Sequence, residues 1–171
     1  PIGRMEGSVY PDEWIMRGNH HDGWAQGAAD PISGMVSLME EARAVSELVK
    51  TGWQPKRTLI YAGWDAEEPA LLGSTEWVEF HRDEIREKMI SYINTDGTGV
   101  GFLGVGGSHA LEKFVNEISK DVKDPVQDVT LQDRIRARLR VSGNKDAERP
   151  DLRIYALGAG SDYTAYIHHA G

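Results

Sequence analysis

Two adjacent carboxylates, Glu67 and Glu68, stand just beyond an apolar run, Leu59-Ile60-Tyr61-Ala62-Gly63, that has the composition of a buried strand. Two further apolar runs end in the same way. Trp14-Ile15-Met16 leads to Asn19-His20-His21-Asp22, and Ile90-Ser91-Tyr92-Ile93 leads to Asn94-Thr95-Asp96. Another acid, Asp30, sits in the loop Gly27-Ala28-Ala29-Asp30-Pro31. One imidazole with several carboxylates and no thiolate is a donor set that suits zinc, manganese or cobalt and suits copper(I) poorly. Adjacent acids also suit two-metal hydrolysis, in which one carboxylate coordinates metal while another takes the proton of the attacking water.

Taken singly, each residue has an ordinary explanation: His20 as a satisfied core histidine, Glu67 and Glu68 as acids favoured at a helix N-terminus, Asp96 as a turn former. Caps and turns alone do not require all of them at the ends of three core strands. Nor do they require the His20-X-Asp22 pair, whose members share a face if extended. In open α/β sheets, ligands bind beyond the carboxyl ends of the strands, so His20, Asp22, Glu67, Glu68 and Asp96 are expected around one crevice.

The elements that must position them are legible in part. Gly7 to Tyr10 and Trp14 to Met16, joined through Pro11-Asp12-Glu13, read as a hairpin, which makes the sheet mixed. From Ser33 to about Lys50, Met35, Leu38, Met39, Ala42, Val45, Leu48 and Val49 keep the spacing of one helical face, closed by Gly52. Strand, helix and the strand of Leu59 to Gly63 then form a parallel crossover. A second helix over about Leu71 to Glu87 delivers the strand that ends at Asp96. The glycines between Gly97 and Gly107 predict a loop around a short apolar piece, Val100 to Val105. His109 to Val122 reads as helix. Pro125 to Pro150 is polar and weakly periodic, an insertion or lid-side segment. Leu152 to Leu157 has a strand pattern and feeds Gly160-Ser161-Asp162 and a final helix through His168. The fold class is therefore α/β, a mixed, mainly parallel sheet flanked by helices.

The 171 residues make one domain or part of one. Acids outnumber Lys and Arg by 27 to 19, and the net charge of −8 argues against a nucleic-acid surface. The run Arg134-Ile135-Arg136-Ala137-Arg138-Leu139-Arg140 reads as a solvated face. The absence of cysteine rules out a disulfide framework and a thiolate metal site. No run approaches the roughly 18 apolar residues of a membrane span. The chain opens on Pro1 in mid-pattern, without a signal-peptide pattern, and reads as an excised or processed piece.

Three groups of residues, in this order, resemble the co-catalytic zinc exopeptidases that include glutamate carboxypeptidase II and the transferrin receptor. They are His20-His21-Asp22-Gly23-Trp24 with Gly27 to Gly34, Trp64-Asp65-Ala66-Glu67-Glu68 with Leu71 to Trp77, and Tyr92-Ile93-Asn94-Thr95-Asp96. The resemblance implies two zinc ions, with His20 on one, Asp30 bridging both, Glu68 and Asp96 on the two metals, Glu67 as general base and Asp22 behind His20. It also implies that Glu76 and Glu79 help bind a structural calcium, for which a solvated helix face is an equal alternative. Gly160, Ser161 and Asp162 would line the substrate cleft.

On this resemblance the chain is the central part of the peptidase domain, lacking the leading strand and helix and the downstream His that is the last zinc ligand. His168 and His169 fall before that position. The expected activity is removal of terminal residues from peptides, as a carboxypeptidase or an aminopeptidase; the alternative is a transferrin receptor-like binding module. Gly104 stands where the family has an arginine for acidic side chains, and Pro69-Ala70 replaces an aromatic-glycine pair. Both departures weigh against glutamate-rich substrates. A periplasmic or secreted setting follows from the resemblance alone. Exposed sheet edge predicts a homodimer, and little zinc binding or turnover is expected of this piece alone.

Overall fold

The computed structural model describes residues 1–171. The chain forms two compact units, Pro1–Gly99 with Ala159–Gly171, and Val100–Gly158.

The first unit is a four-stranded sheet with helices. In chain order it contains β1 (Ile2–Met5), β2 (Tyr10–His20), α1 (Ser33–Lys50), β3 (Arg57–Trp64), α2 (Leu72–Phe80), α3 (Arg82–Lys88), β4 (Met89–Asn94) and α6 (Tyr163–His169). The sheet order is β1-β3-β2-β4, with β2 parallel to both β3 and β4 and β1 antiparallel to β3. This is the α/β, mixed and mainly parallel sheet that the periodicity predicts. The three strands that end in polar residues are neighbours. His20 is opposite Trp64, and Gly18 is opposite Asn94, so their carboxyl ends share one border of the sheet.

The antiparallel strand has a different origin from the expected hairpin. Pro11-Asp12-Glu13 belong to β2 itself, where the pairing with β3 passes from Tyr10–Arg57 to Trp14–Thr58. Three residues oppose none on the partner, and Pro, which has no N–H to give a ladder, is accommodated in such a bulge.

Alternation along β2 and β3 buries Trp14, Met16, Ile60, Ala62 and Trp64 in one core with Val78, Ile85, Ala165 and Tyr166. Complete burial of Met16 and Val78 stabilises the fold by roughly 2 kcal/mol each. Helix α1 has the predicted bounds, yet only Leu38 of its apolar stripe is buried, and Met39 and Leu48 are exposed. The single helix expected over 71–87 is two helices, broken at His81 (φ −100°, ψ 15°).

The second unit contains α4 (Glu112–Asp121) and α5 (Leu131–Val141), with short helical turns at His109–Leu111 and Lys145–Glu148. Helix α5 lies inside the segment that periodicity left unassigned. Its start is marked by Thr130, whose Oγ1 accepts the N–H of Asp133 at 3.0 Å and donates to the Asp133 carboxylate at 2.7 Å. The arginine run is not simply a solvated face. Arg134 pairs with the buried Asp124, and Arg136 donates to the carbonyls of Ala147, Arg149 and Pro150. Arg138 and Arg140 remain exposed. Leu152 to Leu157 is not a strand, for only Tyr155 bridges to Gly106. The Asn116 side chain takes a ladder partner's place, donating to Leu152 O at 2.9 Å and accepting from Leu152 N at 2.8 Å.

No helix is long and apolar enough to cross a membrane.

Candidate active site

His20 closes β2 with its side chain fully buried, and four carboxylates approach its two nitrogens. Nε2 lies 3.1 Å from Asp96 Oδ1, 3.3 Å from Asp30 Oδ1 and 3.8 Å from Glu67 Oε2. Nδ1 lies 3.4 Å from Asp22 Oδ1 and 3.1 Å from the Asp22 carbonyl oxygen. The candidate ligand atoms of His20, Glu67 and Asp96 all fall within 4.8 Å of one another.

Local backbone explains this convergence. After β3 the chain makes a turn in which Ala66 has the left-handed φ of 51°. A non-glycine residue in that region costs of the order of 1 kcal/mol. The conformation is held by Asp22, whose two carboxylate oxygens accept the N–H groups of Glu67 at 3.0 Å and Glu68 at 3.2 Å. The two glutamates are therefore not a helix N-terminal pair, since α2 begins only at Leu72. On the far side, Gly34 in the first turn of α1 touches the Asp96 backbone. A Cβ there would collide with Asp96 O and Asn19 Oδ1.

Asp96 is held from behind. Ser161 Oγ donates to its Oδ2 at 2.7 Å, and Asn94 Nδ2 donates to Ser161 Oγ at 2.9 Å. Ser161 and Asp162 thus turn inward, 4% and 0% exposed, rather than lining an open cleft; Gly160 alone of the three is exposed. Asp162 is enclosed with no hydrogen bond to either oxygen, and the Ser74 hydroxyl near it is directed to Leu71 O at 3.3 Å. Sequence reasoning quoted Asn94 and Tyr92 only as parts of a motif. Tyr92 and Asn94, two residues apart on β4, share one face of the strand, and Asp96 follows just beyond its end.

The electrostatics follow from crowding. Burial pushes the Glu67 carboxyl up to about 7 and that of Asp162 up to about 6. Contact with Asp96 raises Asp30. Burial opposes ionisation of Asp96, but hydrogen bonds from Ser161 and His20 outweigh it and hold the group low. Burial likewise disfavours charge on Asp22, and the two N–H groups it accepts overcome that. For His20, burial lowers the pKa and the bond to Asp96 more than restores it, so the net direction is upward. None of Asp22, Asp30, Glu67, Glu68, Asp96 or Asp162 pairs with a lysine or arginine, which leaves a surplus of negative charge around one imidazole. A divalent ion fits this donor set in charge and ligand type.

Other predicted residues lie apart from the cluster. Glu76 and Glu79 are on the exposed side of α2, where Glu79 pairs with His169 at 3.4 Å and no third donor joins them. His168 is exposed on α6. Glu68 is half-buried, and its charge acts on Asp30.

The profile described as Peptidase family M28 matches residues 2–168. Over 99% of this chain, a glutamate carboxypeptidase 2 homolog of Caenorhabditis briggsae is 38% identical, and aminopeptidase NAALADL1 of Mus musculus is 36% identical. The chain spans 22% and 23% of the lengths of those relatives. The structure of BSAP, a zinc aminopeptidase from Bacillus subtilis, superposes with a TM-score of 0.60 at 18% identity, over 98% of this chain and 36% of that one. At that identity the likeness concerns the fold. The strand-end cluster and a profile match over nearly every residue lead to one conclusion: the chain belongs to peptidase family M28.

Proposed function

We propose that this chain carries the metal-binding part of an exopeptidase active site that hydrolyses terminal peptide bonds with two zinc ions. The observation that carries the reading is the convergence of Asp30, Glu67 and Asp96 on the buried His20 without any lysine or arginine to balance them.

In this reading His20 would serve one ion and Asp30 both, with Glu68 and Asp96 divided between the two. Bound zinc supplies a polarised carbonyl and a water of lowered pKa. The remaining work belongs to the chain. Glu67, a largely buried carboxyl whose pKa is pushed to about 7, takes a proton from water and returns it to the leaving amine. Asp22 holds both the His20 ring and the turn that presents Glu67 and Glu68. The substrate class is a peptide with a free terminus, and the relatives' names include both carboxypeptidase and aminopeptidase.

With His20 as the sole imidazole of the cluster, the chain by itself should bind zinc weakly and turn over little peptide. The same reading includes a homodimer formed over β4, an edge strand on which Ile90 is 59% exposed. Zinc titration calorimetry beside assays on N-blocked and C-blocked dipeptides tests the function. Failure of the complete protein to bind zinc, or zinc binding without turnover of either peptide class, removes the reading. Sedimentation that shows only monomer removes the dimer.

A further inference from the structure

We propose that Ser161, oriented by Asn94, positions Asp96 as a metal ligand at the end of a one-way hydrogen-bond chain that starts at the Trp64 indole. The inference rests on the reading of Asp96 as a ligand and deepens it.

The direction of the chain follows from one donor. An indole N–H can donate and cannot accept. Trp64 Nε1 donates to Tyr92 Oη at 3.0 Å, so the proton of Tyr92 is free to go onward, to Asn94 Oδ1 at 2.9 Å. That contact fixes which end of the Asn94 amide is oxygen, an assignment that otherwise depends on the surrounding network. The amide nitrogen therefore faces Ser161 and donates to Oγ at 2.9 Å. Ser161 accepts that N–H on one lone pair and gives its single proton to Asp96 Oδ2 at 2.7 Å, within the range of charge-assisted bonds. Oδ1 of Asp96 is left facing His20 Nε2 at 3.1 Å. Flipping the Asn94 amide would set its NH2 against the Tyr92 hydroxyl and leave that proton without its acceptor.

Packing keeps the chain in register. Trp64 and Ser161 are each 4% exposed, and the Tyr92 ring stacks on Tyr166 with centroids 3.9 Å apart. Gly18 on β2 leaves room for the Tyr92 hydroxyl, where a Cβ would collide with it. The chain thus ties the ends of β3 and β4 to the start of α6 and always presents Asp96 with a donor on the same oxygen. The Asp96 carboxylate is held in one orientation before any ion arrives. Ser161 and Asn94 act through Asp96, as positioning residues.

The test measures zinc affinity by competition with a chromogenic chelator, and the visible spectrum of the cobalt-saturated protein, for the complete protein unaltered and with Ser161→Ala, Ser161→Thr or Asn94→Ala. Ser161→Ala should weaken zinc about 10- to 100-fold and change the cobalt bands at full occupancy, whereas Ser161→Thr, which keeps the hydroxyl, should stay within about threefold. Asn94→Ala should fall between them. A lower melting temperature for Ser161→Ala with zinc affinity and cobalt bands unchanged would mean that the chain only knits the fold, and the proposal is overturned with the metal reading intact. Absence of zinc and cobalt binding by the complete protein overturns the metal reading and this inference with it.

Discussion

The carboxylate of Asp22 grips the backbone of Glu67, accepting its N–H at 3.0 Å while its second oxygen takes the N–H of Glu68 at 3.2 Å. A residue at the end of one strand thereby sets the turn beyond its neighbour, and the same side chain approaches His20 Nδ1 at 3.4 Å. Three of the expected site residues depend on this one group for their placement.

Replacing Asp22 by Ala strips two backbone donors of their acceptor, so a loss of about 2 kcal/mol in unfolding free energy is expected. Zinc affinity should fall with it, because the Glu67–Glu68 turn loses its anchor. Urea denaturation of the metal-free protein, followed by chelator competition, measures both. Unchanged stability would show that water replaces the carboxylate without cost.

Glu67→Gln and Asp30→Asn should part company. The first removes a proton carrier of nearly the same shape; in the complete protein, zinc content should stay near normal while turnover falls by about 100-fold or more. The second weakens a bridging donor and should lower zinc content too. Metal analysis beside a peptidase assay decides, and zinc loss in Glu67→Gln would mean that the two glutamates have exchanged roles.

Asp162 makes the stability of the metal-free protein depend on pH. Its folded pKa is raised from 3.8 to about 6, so the folded state holds the proton more tightly than the unfolded chain. The resulting contribution is fully present below about pH 3.8 and is lost as pH rises through about 6, roughly 3 kcal/mol in all. The substitution Asp162→Asn leaves no such proton to lose. The stability difference between the two proteins should therefore move in favour of the asparagine variant as pH rises from about 4 to about 7.5, read from paired denaturant curves. Parallel curves at both pH values would contradict an enclosed, unpartnered carboxylate.

Gly34→Ala and Gly18→Ala both place a methyl group where the structure has none to spare, and their effects should differ in kind. At Gly34 the obstacle is the Asp96 backbone carbonyl, which cannot rotate away, so the turn bearing Asp96 must shift. At Gly18 it is the Tyr92 hydroxyl. Each should cost about 1–3 kcal/mol. Zinc affinity, read by chelator competition on the complete protein, should fall in Gly18→Ala if the hydroxyl is displaced from Trp64 and Asn94, and an unchanged affinity would show that the ring moves without disturbing Asp96.

The amino-acid order alone determined the three strand ends and their cargo. An apolar run followed at once by His20 with Asp22, by Glu67 with Glu68, or by Asp96 is visible without coordinates, because burial on a strand and polarity beyond it are local properties. Helix α1 was legible for the same reason, its apolar spacing being that of a helix over 18 residues. Where local signals were weak or competed with tertiary demands, the reading failed. Pro11-Asp12 has turn chemistry, yet it is carried in a bulge because β2 pairs on both sides with strands distant in sequence. Leu152 to Leu157 has strand chemistry, yet its place beside Asn116 supplies side-chain in place of backbone partners.

Within the site, residue type proposed the donors and only the tertiary structure decided what holds them. Ser161 stands 65 residues from Asp96, and Asp22 stands 45 from Glu67, separations over which no spacing rule operates. Those contacts exist because parallel strands bring their carboxyl ends to one border and α6 returns to it. Hydrogen bonds between groups so far apart along the chain are properties of the packed sheet, which periodicity cannot encode.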